Sequence, residues 1–227
     1  MTGSMQAAAL ITAAGTSNRF KTTHAQQQKK ELFLIEGKSV IQHTIDAFLA
    51  IPEIGIIVIT YPAAGQEEFL DHINSLSASI PIITVPGGET RQDSVRFGLE
   101  ALTDAKPKMV MIHDGARPWI TDRLIYKTYK EAVTYGGAAP GLTSRYALKS
   151  IDKNGFIYKH HERADIIEIQ TPQIFRYQGI LKAHRLAAHI DRVYTDDTEI
   201  YSDWGGDVLI VSGDPKNIKI TYQQDLE

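Results

Sequence analysis

The 227 residues carry 24 Lys and Arg against 27 Asp and Glu, a net charge of −3, so no bulk field draws the chain to nucleic acid or an anionic membrane. The absence of cysteine excludes disulfides, thiolate metal sites and a cysteine nucleophile, and fits a reducing, cytoplasmic setting. Hydrophobic residues at 43% and charged residues at 22% are ordinary globular values, and no apolar run approaches the roughly 18 residues of a membrane span.

Along the chain, short runs rich in Val, Ile and Ala alternate with helix-period segments. Ala7 to Thr12, Gly55 to Thr60, Ile80 to Val85 and Met109 to His113 read as strands. Ser39 to Ala50, Gly65 to Ser75 and Thr90 to Leu102 read as helices, and Thr121 heads another through about Tyr135, with Asp122 in its first turn. Strands apolar on both faces and separated by helices predict an α/β fold, a mostly parallel sheet flanked by helices, with ligands at the carboxyl ends of the strands.

From Gly136 to about Gln170 the pattern changes to strand-like pieces around Asp152-Lys153-Asn154-Gly155, where Asn-Gly signals a hairpin. This predicts a β-arm over about 138–170 projecting from a single domain spanning 1–227. Gln178 to Ile190 is helical again, followed by Asp196 to Trp204, the strand Val208 to Ser212 and a strand-like piece from Ile218 to Thr221.

Three runs point to chemistry. The first strand breaks into Ala13-Ala14-Gly15-Thr16-Ser17-Asn18-Arg19, small residues that let backbone amides approach an anion, ending in an arginine able to clamp oxygens. Val85-Pro86-Gly87-Gly88-Glu89-Thr90-Arg91-Gln92-Asp93-Ser94 follows a strand and opens a helix, so its amides and dipole favour an anion or a nucleobase. The run ending in His113-Asp114-Gly115-Ala116-Arg117-Pro118 crowds charge at a strand end; Asp114 suits Mg²⁺ or a ribose hydroxyl, with an internal Asp114–Arg117 ion pair as the plainer alternative.

Together with Gln170-Thr171-Pro172-Gln173, Thr195-Asp196 and Asn217-Ile218-Lys219, these runs stand in the order and approximate spacing of one family. Over nearly its whole length the chain resembles the 2-C-methyl-D-erythritol 4-phosphate cytidylyltransferases, Rossmann-like nucleotidyltransferases of non-mevalonate isoprenoid biosynthesis. The resemblance implies transfer of a cytidylyl group from CTP to the methylerythritol phosphate, with release of pyrophosphate and Mg²⁺ as cofactor. It implies Arg19, Lys30 and Lys219 as catalytic cations, and Ala13, Ala14, Gly15, Gly87, Gly88, Arg91, Ser94, Asp114 and Gly115 around the nucleotide. Asp114, Arg163, Thr171 and Thr195 would bind the second substrate, with Asp114 also at the metal. The arm would make a homodimer with shared sites.

The family's Asp-Thr pair on the arm is replaced near Tyr146-Ala147, which keeps a cytidylyltransferase for another polyol phosphate, such as ribitol 5-phosphate, as an alternative. The altered first loop, Ser17-Asn18 with extra residues His24 to Gln28, motivates a second alternative, a catalytically silent nucleotide-binding regulator.

Overall fold

The computed structural model describes residues 5–15, 29–62 and 66–226. Its strands are β1 (Ala7–Thr12), β2 (Leu34–Ile35), β3 (Lys38–Ser39), β4 (Ile54–Tyr61), β5 (Ile82–Pro86), β6 (Met109–Asp114), β7 (Gly137–Thr143), β8 (Lys149–Ile151), β9 (Ile157–His160), β10 (Ile167–Ile169), β11 (Gln173–Arg176) and β12 (Leu209–Ser212). The helices are α1 (Val40–Leu49), α2 (Gln66–Ser75), α3 (Arg91–Glu100), α4 (Asp122–Tyr135), α5 (Tyr177–Ala187) and α6 (Asp197–Asp203).

The main sheet runs β10-β7-β11-β6-β1-β4-β5, with β12 also paired to β7. Its centre, β6-β1-β4-β5, is parallel, while β11 lies antiparallel to both β6 and β7. Every residue of β1 from Ala7 to Ile11 is buried, because successive side chains enter opposite layers. Ala7, Ala9 and Ile11 meet Ile41, Ile45 and Phe48 of α1, Phe69 of α2 and Ile125 of α4. Ala8 and Leu10 meet Val95 and Leu99 of α3 and Ile180 of α5. Each fully buried Ile, Leu or Phe contributes about 1.5–3 kcal/mol, so the two layers supply the main driving force. The small side chains permit close approach: a Cβ on Gly98 of α3 would fall 2.2 Å from Leu10 Cδ1.

Local signals set the helix ends. Ser39, Thr90 and Thr121 each accept a backbone N–H of the first turn, from Gln42, Asp93 and Leu124. Gly136, at φ +97°, closes α4 in the left-handed region that glycine tolerates.

Two segments differ from expectation. The arm expected from about 138 gives β7 and β10 to the main sheet, since the small residues of Gly137–Pro140 fit among β11, β12 and Tyr201. What stands apart is the β8–β9 hairpin, turned at Asp152, whose Oδ1 accepts from the Asn154 and Phe156 amides at 2.9 Å. Ile218 to Thr221 is irregular rather than a strand, held by the Ile220 amide on the Ala116 carbonyl at 2.8 Å. Among the described residues no helix is long and apolar enough to cross a membrane.

Chain order passes from β1 outward to β4 and β5, then returns to β6 on the other side of β1. The order therefore reverses at β1, and the crevice at the carboxyl ends of β1 and β6 is where such sheets take ligands. Thr12 and Asp114 are register partners at that point.

Candidate active site

Strand β6 delivers Asp114 to this crevice with its side chain almost closed to water. Three cations from three segments converge on it. Lys219 Nζ lies 3.0 Å and Arg117 Nε 3.2 Å from Oδ2, while Arg91 Nε stands 3.6 Å from Oδ1. Burial opposes ionisation of Asp114, but the charges of Lys219, Arg91 and Arg117 outweigh it and hold the carboxyl well below the usual carboxylate range. The Asp114–Arg117 pair expected as the plainer alternative is thus present as one member of a larger cluster.

Behind Asp114 a hydrogen-bonded chain fixes the strand end. The Asp114 amide donates to Thr171 Oγ1 at 3.1 Å, and that hydroxyl lies 2.9 Å from His113 Nδ1. His113 Nε2 faces the Arg117 carbonyl at 3.3 Å, and a carbonyl only accepts, so Nε2 carries the proton and Nδ1 takes the Thr171 hydroxyl hydrogen. Burial, against the opposing pull of Asp114, lowers the His113 pKa to about 3, so the ring is neutral. Asn217, also buried, donates through Nδ2 to the Thr171 carbonyl at 2.8 Å and accepts through its own carbonyl from Arg117 Nη1 at 2.8 Å. These bonds dock the irregular segment that carries Lys219.

The glycine turn after β5 closes against β1 and β4. The Gly87 amide donates to the Tyr61 carbonyl at 2.8 Å and the Gly88 amide to Ser94 Oγ at 3.1 Å. A Cβ on Gly87 would lie 2.2 Å from Ala14 Cβ, so only glycine lets the two loops touch. On the far side of Arg91, Nη2 donates to Asp197 Oδ2 at 2.7 Å. Burial raises and the Arg91 charge and His184 hydrogen bond more strongly lower the Asp197 pKa, so both acids of the site are ionised. The cluster joins Arg91, Arg117 and Lys219 to Asp114 and Asp197, leaving one uncompensated positive charge among these five groups.

A glycine loop, a strand-end carboxylate and a surplus positive charge lie together at the reversal of a parallel sheet, where such sheets take ligands. The family model described as IspD, 2-C-methyl-D-erythritol 4-phosphate cytidylyltransferase, matches residues 7–227. The chain belongs to this family of nucleotidyltransferases. It is 37% identical over 220 residues to the 2-C-methyl-D-erythritol 4-phosphate cytidylyltransferase of Clostridium acetobutylicum, spanning 96% of this chain and 93% of that one. The enzyme of the same name from Caldanaerobacter subterraneus subsp. tengcongensis is 37% identical over 223 residues, 98% and 96% of the two chains. The crystal structure of 4-diphosphocytidyl-2C-methyl-D-erythritolsynthase from Anaerococcus prevotii superposes with a TM-score of 0.84 at 26% identity, covering 98% of this chain and 93% of that one.

In this cytidylyltransferase-family chain the expected residues fall into three groups. Ala13, Ala14, Gly87, Gly88, Arg91, Ser94, Asp114, Gly115 and Lys219 gather around the crevice, and Gly15, with open space where a Cβ would stand, edges it. The Lys30 ammonium donates to the Ile220 carbonyl at 3.0 Å, beside Lys219. Thr171 is buried, its hydroxyl taken up by His113 and the Asp114 amide. Arg163 is exposed between β9 and β10, and Thr195, two residues before Asp197, turns its hydroxyl to Glu199 Oε2 at 2.8 Å rather than into the cluster. Arg19 lies outside the described residues.

Sequence reasoning missed Asp197 and His184. Asp196 and Asp197 are adjacent acids at a helix start. Only the fold makes Asp196 the cap, accepting from the Glu199 amide, and turns Asp197 inward to Arg91.

Proposed function

We propose that this chain transfers the cytidylyl group of CTP to the 4-phosphate of 2-C-methyl-D-erythritol 4-phosphate, releasing pyrophosphate, as an enzyme of non-mevalonate isoprenoid biosynthesis. The observation that carries the reading is the Asp114 carboxylate bound by Lys219, Arg117 and Arg91 beside the Gly87-Gly88 loop, in a chain whose curated relatives bear that name. A phosphate oxygen of the acceptor attacks the α-phosphorus of CTP; the new P–O bond forms as the α-phosphorus to bridging-oxygen bond breaks, and pyrophosphate carries away the electron pair. The nucleophile is already ionised at neutral pH, so no protein base is required. Catalysis is then alignment and neutralisation of crowded negative charge.

Lys219, partly exposed and braced by Asp114, is the cation at the reacting phosphate, with Lys30 and Arg19 completing the triphosphate side. Gly87, Gly88, Arg91 and Ser94 take the cytidine side. The exocyclic amine of cytosine is a donor and is met by loop carbonyls, whereas the Gly87 and Gly88 amides already donate within the protein. Asp114 and Gly115 face the ribose, Arg163 and Thr195 serve the acceptor, and Thr171, buried with its hydroxyl committed, holds the Asp114 strand end in place.

Mg²⁺ fits this site only as an ion carried on the triphosphate. Among the described residues no three His, Cys, Asp or Glu side chains gather, and Asp114, the carboxylate expected at the metal, is already bound by Lys219, Arg117 and Arg91, so substrate phosphates and waters would supply the ligands. When bound it neutralises phosphate charge. The exposed Phe156, Ile157 and Tyr158 of the β8–β9 hairpin support a homodimer formed through this arm.

Pyrophosphate release from CTP is expected with 2-C-methyl-D-erythritol 4-phosphate. Release with ribitol 5-phosphate alone would overturn the substrate. Thermal stabilisation by CTP with no pyrophosphate from either acceptor would overturn the enzyme.

A further inference from the structure

We propose that His184, acting through Asp197, is a positioning residue that fixes Arg91 at the head of the nucleotide loop; this deepens the cytidylyl-transfer reading and rests on it. Asp197 is fully closed to solvent, and both of its carboxylate oxygens and its amide are committed. Oδ2 accepts from Arg91 Nη2 at 2.7 Å, Oδ1 accepts from His184 Nε2 at 3.1 Å, and its amide donates to Gln173 Oε1 at 3.0 Å. The carboxylate therefore cannot rotate, and it presents one oxygen in one direction. Arg91 stands 3.6 Å from Asp114, beyond a direct hydrogen bond, so Asp197 is its closer hold.

His184 is the part of this chain of contacts that packing does not explain. It sits on α5 with no exposed surface, and its Nδ1 has no hydrogen-bond partner. A buried polar atom left unpaired is unfavourable, and a leucine would fill the same place without it. What histidine supplies and leucine cannot is the Nε2–H that holds Asp197 Oδ1. Arg91 opens α3 directly after Gly87-Gly88-Glu89-Thr90, and one turn later Ser94 Oγ accepts the Gly88 amide. The line His184, Asp197, Arg91 thus ties the nucleotide loop to α5 and α6.

The test is steady-state kinetics on His184→Leu, His184→Gln and Asp197→Asn, with the KM for each substrate measured separately and CTP Kd measured by calorimetry. His184→Leu should raise the CTP KM and Kd about tenfold, the size of one charge-assisted hydrogen bond, and the acceptor KM by much less. His184→Gln, which keeps a donor toward Asp197, should restore most of the CTP affinity, and Asp197→Asn should weaken CTP at least as much as His184→Leu. A purely structural role would lower the active fraction and leave both KM values unchanged. That result, or His184→Gln as impaired as His184→Leu, would overturn the proposal. If His184→Leu does not fold, wild-type CTP affinity in Asp197→Asn overturns it. Absence of pyrophosphate from the wild type would defeat the transfer reading alone, because the calorimetric comparison still stands.

Discussion

The Lys219 ammonium lies 3.0 Å from Asp114 Oδ2, an ion pair between a partly exposed cation and a carboxylate nearly closed to water. Asp114 keeps Arg117 and Arg91 as further partners, so its charge does not depend on Lys219 alone. The pair holds the lysine at the crevice without neutralising the cluster.

Lys219→Ala should therefore leave the fold and CTP binding intact and lower turnover by about 10²- to 10³-fold, or roughly 3–4 kcal/mol, as when one preorganised charge stabiliser is lost. Calorimetric CTP titration beside steady-state kinetics separates the two effects. Near-normal kcat would remove Lys219 from the mechanism.

Chelation makes a second test. No carboxylate and imidazole cluster forms a metal cage among the described residues, so the proposed Mg²⁺ would act with the substrate and not as a structural staple. EDTA should abolish pyrophosphate release, Mg²⁺ should restore it, and the melting temperature of the nucleotide-free protein should not change. A drop in melting temperature with EDTA would point to a structural ion instead.

The hairpin gives a third. Phe156 and Tyr158 are 72% and 70% exposed, an unusual setting for two aromatics on one short ribbon. Sedimentation should find a dimer, and Phe156→Asp should shift it toward monomer while raising the acceptor KM more than the CTP KM. A wild-type monomer at micromolar concentration would end the shared-site reading.

These residues also mark how far the sequence could be read. β1 was legible because Ala7–Ile11 is apolar throughout and Thr12 leads into a glycine turn, and the α4 boundaries follow from Thr121 and Gly136. β11 was not, since four residues wedged antiparallel between β6 and β7 owe their form to distant partners rather than to local pattern. Asp114 announced itself by crowding charge at a strand end. Nothing in the sequence sets His184 apart within the helical run Gln178 to Ile190, and its burial against Asp197 arises only when α5 and α6 pack together.

Gly87 tests the loop contact. A methyl there would fall 2.2 Å from Ala14 Cβ and 2.9 Å from Ser94 Oγ. Gly87→Ala should cost about 1–3 kcal/mol of stability through overpacking and weaken CTP binding. Adding Ala14→Gly removes the nearer clash and should recover part of both losses. A double variant no better than the single would show that the two loops do not meet there.

His113 links the site to pH. Its folded pKa of about 3 lies below the ordinary 6.5, so between those values the unfolded chain binds a proton that the folded chain refuses. Stability from this group is thus fully present above pH 6.5 and declines as the pH falls toward 3, by at most about 1.4 kcal/mol per pH unit. Asp114 adds nothing between pH 7 and pH 5: its carboxyl is held below the ordinary 3.8, so its contribution starts to fall only below about that pH. His113→Gln can still donate toward the Arg117 carbonyl and accept from Thr171, but it cannot titrate. Urea midpoints measured at pH 7 and pH 5 should fall more for the wild type than for His113→Gln. Equal falls would mean that His113 is not the neutral, buried link between Thr171 and the Asp114 strand end.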